Sequence, residues 1–364
     1  MSPQDGESVP LSGLLTLILT TSPTPSAPGT DLISEILESF KLHCPGLLSC
    51  NIIVVFDTYE RVGPEMRLKK GMVTAEGATA FDLYKSNVKA LIMREYQRKD
   101  SSEPLISGTG EAEYGLPNLA NGQQRAVPFS TSQTQDKRVT FIEPSERVGF
   151  GLAVRSALRI TETPYVWIQQ HDWSLIRDIP LLPMLHVMRA SDEDTVAPIK
   201  YVCLPSVRMQ CYATSVHVTH FPVLRELTAR LKRVFHAPSS LEESVPLTPL
   251  FFWHDKPHIA STTHYLSRIF PTALAMGRGD FIEDTVGQRA RTQMKEGIWS
   301  KWACWLFYPE DGKELCLKHM NGRKWRGTEG ALAQKQIWLE TGTKRKKNVT
   351  VVSKANSRTP SPTP

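Results

Sequence analysis

Four short apolar runs, each closing on polar groups, constrain this chain most. They are "LLTLILTT" (Leu14 to Thr21), "NIIVVFD" (Asn51 to Asp57), "RVTFIEP" (Arg138 to Pro144) and "PYVWIQQHD" (Pro164 to Asp172). Nearly unbroken apolar runs of strand length suit strands covered on both faces, as in parallel sheets. Between them lie segments of helical spacing. In "DLISEILESFKLHC" the apolar residues fall at 32, 33, 36, 37 and 40, with Asp31 placed as N-cap; in "GFGLAVRSALRITE" they are Leu152, Val154, Ala157, Leu158 and Ile160. The alternation predicts an α/β fold with a mostly parallel sheet flanked by helices. Further along, "DIPLLPMLHVMRAS" reads as a helix begun by prolines and "YVCLPS" as a short strand. In "GRGDFIEDTVGQRARTQMK" acids open a helix, and "WACWLFYPEDGKELCLKHM" carries a hairpin signal at Asp311-Gly312.

At 364 residues, 40% hydrophobic, the chain can bury one enlarged core or two smaller ones. The expected organisation is a disordered N-terminus at 1–11, one domain over 12–340, and a disordered basic, Ser/Thr/Pro-rich tail at 341–364. Residues 61–136 read as an insertion: a helix near Thr79 to Arg98, then a Gly, Ser and Gln-rich flexible loop. The net charge of +6 is modest and partly held in Lys344 to Lys347, which argues against a nucleic-acid partner. Six cysteines without a C-x-x-C pair suit buried thiols in a reducing compartment, so a cytoplasmic location is expected. "LSGLLTLILTT" is about half of a membrane span, so no integral span and a soluble protein are expected. The P-loop, nucleophile-elbow and dinucleotide fingerprints are all absent.

Ligands of parallel α/β sheets sit outside the carboxyl ends of the strands. Those ends here are Thr20 and Thr21, Asp57, Glu143 and Glu146, and Gln170, His171 and Asp172. Each has a bland reading too: Asp57 can close a turn, and Asp172 can cap the segment that follows. Their convergence favours a ligand.

"ERVGFGLAVRSALRITETPYVWIQQHD" resembles the segment of GT-A-fold glycosyltransferases in which a glycine-containing helix precedes a strand ending in an Asp-x-Asp metal motif. "GDFIEDTVGQ" is similar to the Glu-Asp motif of inverting, family-two-like members. The resemblance implies a glycosyltransferase that moves a sugar, with inversion, from a nucleotide-sugar donor to the hydroxyl of an unknown acceptor. It also implies Mn2+ or Mg2+, which takes hard oxygen ligands. It places the nucleotide on Thr20, Thr21, Asp57 and Arg155, and the metal or diphosphate on Asp172 and His171. Gln170 stands where the first acid belongs. Asp284 becomes the general base and Glu283 its neighbour, although Asp280 and Glu283 also fit a capping box. From "KHMNGRKWRG", His319, Arg323 and Lys324 become diphosphate contacts, or else a solvated basic turn. "GRKW" only partly matches the Gln-x-x-Arg-Trp of processive members, which speaks against polymer synthesis.

Trp253, His254 and Asp255 in "PLFFWHDKPH" could form an acceptor platform; a core strand and ordinary loop is the rival reading. His254 and His258 have zinc-hydrolase spacing, but Asp255 replaces the required Glu and Pro257 breaks the helix. Two alternatives stay open for the whole protein. One is a non-catalytic GT-A-like module binding a glycan or protein. The other is a nucleotidyltransferase, which would want basic residues in "SPTPSAPGTD".

Overall fold

The structure is a computed structural model that describes residues 9–96, 104–115, 125–237, 240–272 and 276–325, with scattered positions from 327 to 339. The N-terminal eight residues and the tail from 341, both expected to be disordered, lie outside the described residues. Along the chain, Leu11–Leu14 (α1) leads into Leu15–Thr21 (β1), and Asp31–His43 (α2) returns to Asn51–Phe56 (β2). Short strands Arg61–Val62 (β3) and Met72–Val73 (β4) precede the long helix Ala75–Glu95 (α3). Strands Ile106–Tyr114 (β5), Arg125–Gln133 (β6) and Val139–Pro144 (β7) follow, then Phe150–Arg159 (α4), Tyr165–Gln170 (β8), Trp173–Leu175 (β9) and Leu181–Ala190 (α5). The remaining elements are Tyr201–Cys203 (β10), Val216–Thr219 (α6), Pro222–Leu231 (α7), Arg233–Ala237 (β11), Ser240–Pro249 (β12), His258–Ser261 (β13), Thr262–Arg268 (α8), Gln288–Lys295 (α9), Cys304–Phe307 (β14) and Leu317–His319 (β15).

One eleven-stranded sheet carries the fold, in the order β11-β12-β14-β10-β13-β8-β1-β2-β7-β6-β5. Its centre, β8-β1-β2-β7, is parallel. These are the four apolar runs, and β1 is buried along its whole length because helices cover both faces. Around this parallel centre the sheet is mixed: β13 runs antiparallel to β8 and β10, β12 antiparallel to β14, and β5-β6 and β11-β12 form antiparallel hairpins at the two edges.

Three local expectations also change. The segment read as a flexible loop after α3 supplies β5 and β6, whose polar, exposed residues suit an edge hairpin and hide the strand signal. Around Asp311 no hairpin forms. Glu310 and Asp311 both adopt left-handed φ, β14 joins the main sheet, and β15 pairs instead with β9. The cap of α2 is Thr30, with Asp31 the first helical residue, while α3 is capped by Thr74, whose hydroxyl accepts the Gly77 N–H at 3.1 Å.

Candidate functional site

The chain builds β1, then β2 and β7 to one side, and only then β8 on the other side of β1. Strand order therefore reverses between β1 and β8, and neighbouring loops must part there. A cleft of about 400 Å³ opens at this point. Thr20, Thr21, Asp57, Gln170, His171 and Asp172 line it from the strand ends, and His319, Arg323 and Lys324 from the C-terminal segment. Another wall is the 58–73 segment with Tyr59, Leu68 and Gly71, and the N-terminus of α4 closes the floor with Gly149, Phe150 and Ala153.

Asp57 is buried and holds that floor. Its carboxylate accepts the Val148 N–H at 2.7 Å and the Gly149 N–H at 3.2 Å. Burial pushes its carboxyl up to about 6, against the pull of those two hydrogen bonds and of Arg147. Gly149 is required here: its φ is +83°, and a Cβ would lie 2.5 Å from the Gly279 Cα.

Each polar residue at the end of β8 is engaged by a different segment. Gln170 donates from Nε2 to the Asp255 carbonyl at 2.7 Å. His171 Nδ1 lies 3.2 Å from the Ser22 N–H and 2.8 Å from the Thr21 hydroxyl. A main-chain N–H can only donate, so Nδ1 is the acceptor and the neutral ring carries its proton on Nε2. Burial lowers the imidazole's pKa and favours that neutral form. The Tyr84 hydroxyl, 2.7 Å from Thr21, completes the chain Tyr84, Thr21, His171.

Asp172 Oδ2 accepts from His319 Nε2 at 3.1 Å and from the Gly322 N–H at 3.0 Å. Burial pulls its carboxyl up, but the His319 hydrogen bond, the neighbouring imidazoles and the Gly322 N–H outweigh that, leaving it below the ordinary value. The same segment is tied by the Met320 N–H to the Asp172 carbonyl and by the His319 ring on Trp173, centroids 4.5 Å apart. A Cβ at Gly322 would meet His171 Nε2 at 2.7 Å, so the main chain can approach the strand end this closely only because 322 is glycine.

These donors do not fit a divalent cation. In nucleotide sites a hard cation takes one or two carboxylates besides the phosphates, and the cleft's carboxylates are Asp57 and Asp172, with no second acid at the end of β8 beside Asp172. Both Asp57 oxygens and one of Asp172 already hold hydrogen bonds, and neither ring nitrogen of His171 has a free lone pair. Among the described residues no group of three or more His, Cys, Asp and Glu could hold a metal ion. Positive charge is better supplied: Arg147, Arg323 and Lys324 line the cleft, Arg147 close enough to act on the Asp57 carboxyl, and none of the three forms a direct salt bridge among the described residues. Arg323 lies over Phe281, 6.0 Å from the ring centroid, and Phe281 stacks on Phe150.

The other candidates fall elsewhere. Arg155 is buried and turns from the cleft to β5, where its guanidinium donates to the Glu113 carbonyl. Trp253 is wholly buried, its ring against Tyr201, so it offers no face to an acceptor. Glu143 pairs with Lys85 and Lys89, and Glu146 with Arg278.

His254, Asp255, Glu283 and Asp284 form a second cluster, joined to the cleft by the Gln170 hydrogen bond and by Phe281. Asp280 does not cap with Glu283; it accepts the Gly277 N–H. The reciprocal cap runs across the fold instead. The Asp255 carboxylate accepts the Glu283 N–H at 3.3 Å, and Glu283 accepts the Asp255 N–H at 3.4 Å. Burial, with Glu283 and Asp284 near, raises the Asp255 carboxyl well above its ordinary value. His254 Nδ1 lies 3.6 Å from Glu283 Oε2; burial lowers the imidazole to about 4, so it is neutral at pH 7. A wide π-type turn, Glu283–Gly287, begins the helix that continues as α9, and Asp284 is exposed on it. Arg147, Tyr59 and Phe281 had not been singled out from sequence; only Arg147, between the acid-ended strand and Gly149, carried a usable signal.

The fold and site define an α/β protein with a polar, cation-lined cleft at its topological switch point. No family model and no curated protein matches the chain. Solved structures do, among them the mannosyltransferase PcManGT from Pyrobaculum calidifontis in complex with GDP-Man and Mn2+. At 12% identity and a TM-score of 0.36, that match covers 82% of this chain and 58% of that one, so this chain spans little more than half of its length. Among the described residues no helix is long and apolar enough to cross a membrane, and all six cysteines are free, Cys211 alone of them exposed.

Proposed function

We propose that this protein is a glycosyltransferase that takes a nucleotide-sugar donor in the switch-point cleft and transfers the sugar with inversion. The supporting observation is the cleft itself: a volume of about 400 Å³ is in the range of small-ligand sites, at the edge where parallel sheets bind nucleotides. Thr20, Thr21 and Tyr59 face the nucleoside part, and the cationic rim faces the diphosphate. Asp284 takes the proton of the acceptor hydroxyl as its oxygen bonds to the anomeric carbon; the bond from that carbon to the diphosphate breaks, and the charge on the leaving oxygen falls beside Arg323 and Lys324. Glu283 is committed to His254 and Asp255, which leaves Asp284 as the helix's uncommitted carboxylate among the described residues.

A second reading, a non-catalytic glycan- or protein-binding module, is favoured by one observation: one oxygen of the carboxylate at the end of β8 already accepts two internal hydrogen bonds. Turnover separates the two. The full chain is offered a panel of sugar nucleotides, and release of nucleoside diphosphate is followed for wild type, Asp172→Ala and Asp284→Ala. The transferase reading expects Asp284→Ala to lose on the order of 10²-fold or more in rate with donor binding kept. Activity surviving both substitutions would sink the catalytic assignment.

A further inference from the structure

The last residues of β8 carry information that the transferase reading does not use. In the resembled pattern this strand end delivers two acids to a metal ion. Here the position of the first acid is held by an amide that must donate. Gln170 Nε2 faces the Asp255 carbonyl at 2.7 Å, and a carboxylate in its place could only accept. The acid that remains is bound by His319 and Gly322, and His171 presents a protonated nitrogen. The strand end thus ties together the β1 terminus, the 254–256 loop and the 319–322 segment. That last segment brings Arg323 and Lys324 into the cleft that Arg147 also lines.

We propose that the cleft recognises the diphosphate of a nucleoside diphosphate without a divalent cation, Arg147, Arg323 and Lys324 supplying the charge that a metal would otherwise bring. The inference rests on the donor reading above and adds how the donor's charge is met. Three cations against two internally hydrogen-bonded carboxylates leave the lining positive, and guanidinium groups bind phosphate oxygens in pairs. Asp172 acts as a positioning residue, its carboxylate holding the main chain of 319–322 so that the cations after it reach the cleft.

The test is calorimetric titration of the full chain with UDP, GDP, ADP and CDP, once in EDTA and once in Mn2+. At least one diphosphate is expected to bind with affinities that agree within about threefold in the two buffers, a difference of well under 1.4 kcal/mol. Inorganic pyrophosphate should compete with it. Arg323→Ala with Lys324→Ala changes two exposed side chains and should weaken binding in EDTA by at least ~10-fold. Binding seen only with Mn2+, or unchanged in the double variant, overturns the inference and leaves the donor reading standing. No binding of any diphosphate in either buffer overturns both.

Discussion

Gln170 decides more than its neighbours because its amide can donate where an acid cannot. Gln170→Glu keeps the size and removes the donor, setting a carboxylate against the Asp255 carbonyl. The expected cost is about 1–3 kcal/mol, read as a lower urea midpoint with unchanged slope. Metal dependence should not appear, although the acid has been restored. Asp57 makes a different prediction. Its folded pKa, about 6, lies above the ordinary 3.8, so between those values the native state holds more protons than the unfolded chain. Its contribution is therefore fully present below pH 3.8 and is lost as pH rises through about 6. Asp57→Asn should flatten that part of the stability-pH curve; an unchanged slope would show that the slope comes from other groups. At this scale the candidate acids were legible in sequence, because strand ends announce themselves by polarity. Their partners were not. Nothing in "GDFIEDTV" says that Glu283 caps with Asp255 rather than Asp280, since the pairing spans 28 residues and depends on where β13 brings its preceding loop.

Among the elements, α4 has the most constrained start. Its N-terminal Gly149 touches Gly279 main chain, and Gly279 in turn donates to the Val148 carbonyl at 2.8 Å. Gly149→Ala meets both a left-handed φ and a backbone overlap, so a loss of more than about 2 kcal/mol is expected, measured by thermal and urea unfolding. A neutral result would mean that the two loops can separate. The apolar strands and periodic helices were readable because burial on both faces leaves a continuous signal. The edge hairpins were not: β5 carries Ser, Gly, Thr and Glu on largely exposed positions, which leaves little apolar alternation to detect. The supposed hairpin at Asp311 failed for the converse reason. Turn chemistry was present, but each flanking strand found a better partner elsewhere.

For the whole molecule, the β5-β6 hairpin is coupled to α4 through one acid. Glu113 lies 3.9 Å from Arg155 and 2.7 Å from Arg159, so the wing of the sheet is pinned to the helix that floors the cleft. Glu113→Ala should cost up to about 2 kcal/mol, and amide exchange should rise first in β5 and β6, ahead of β1, β2 and β8. Uniform exchange across the sheet would show that the wing and centre open together. By itself the sequence determined the α/β class, the four central strands and the polarity of their ends, because buried runs and helical periods are local properties. It also marked Asp172 and Asp284 as residues to watch. Only the tertiary structure decided what those residues touch. Hydrogen-bond partners are set by strand order and crossover, and it is the return of the chain to the far side of β1 that places Gln170 on Asp255, Asp172 on Gly322 and three cations around one cleft.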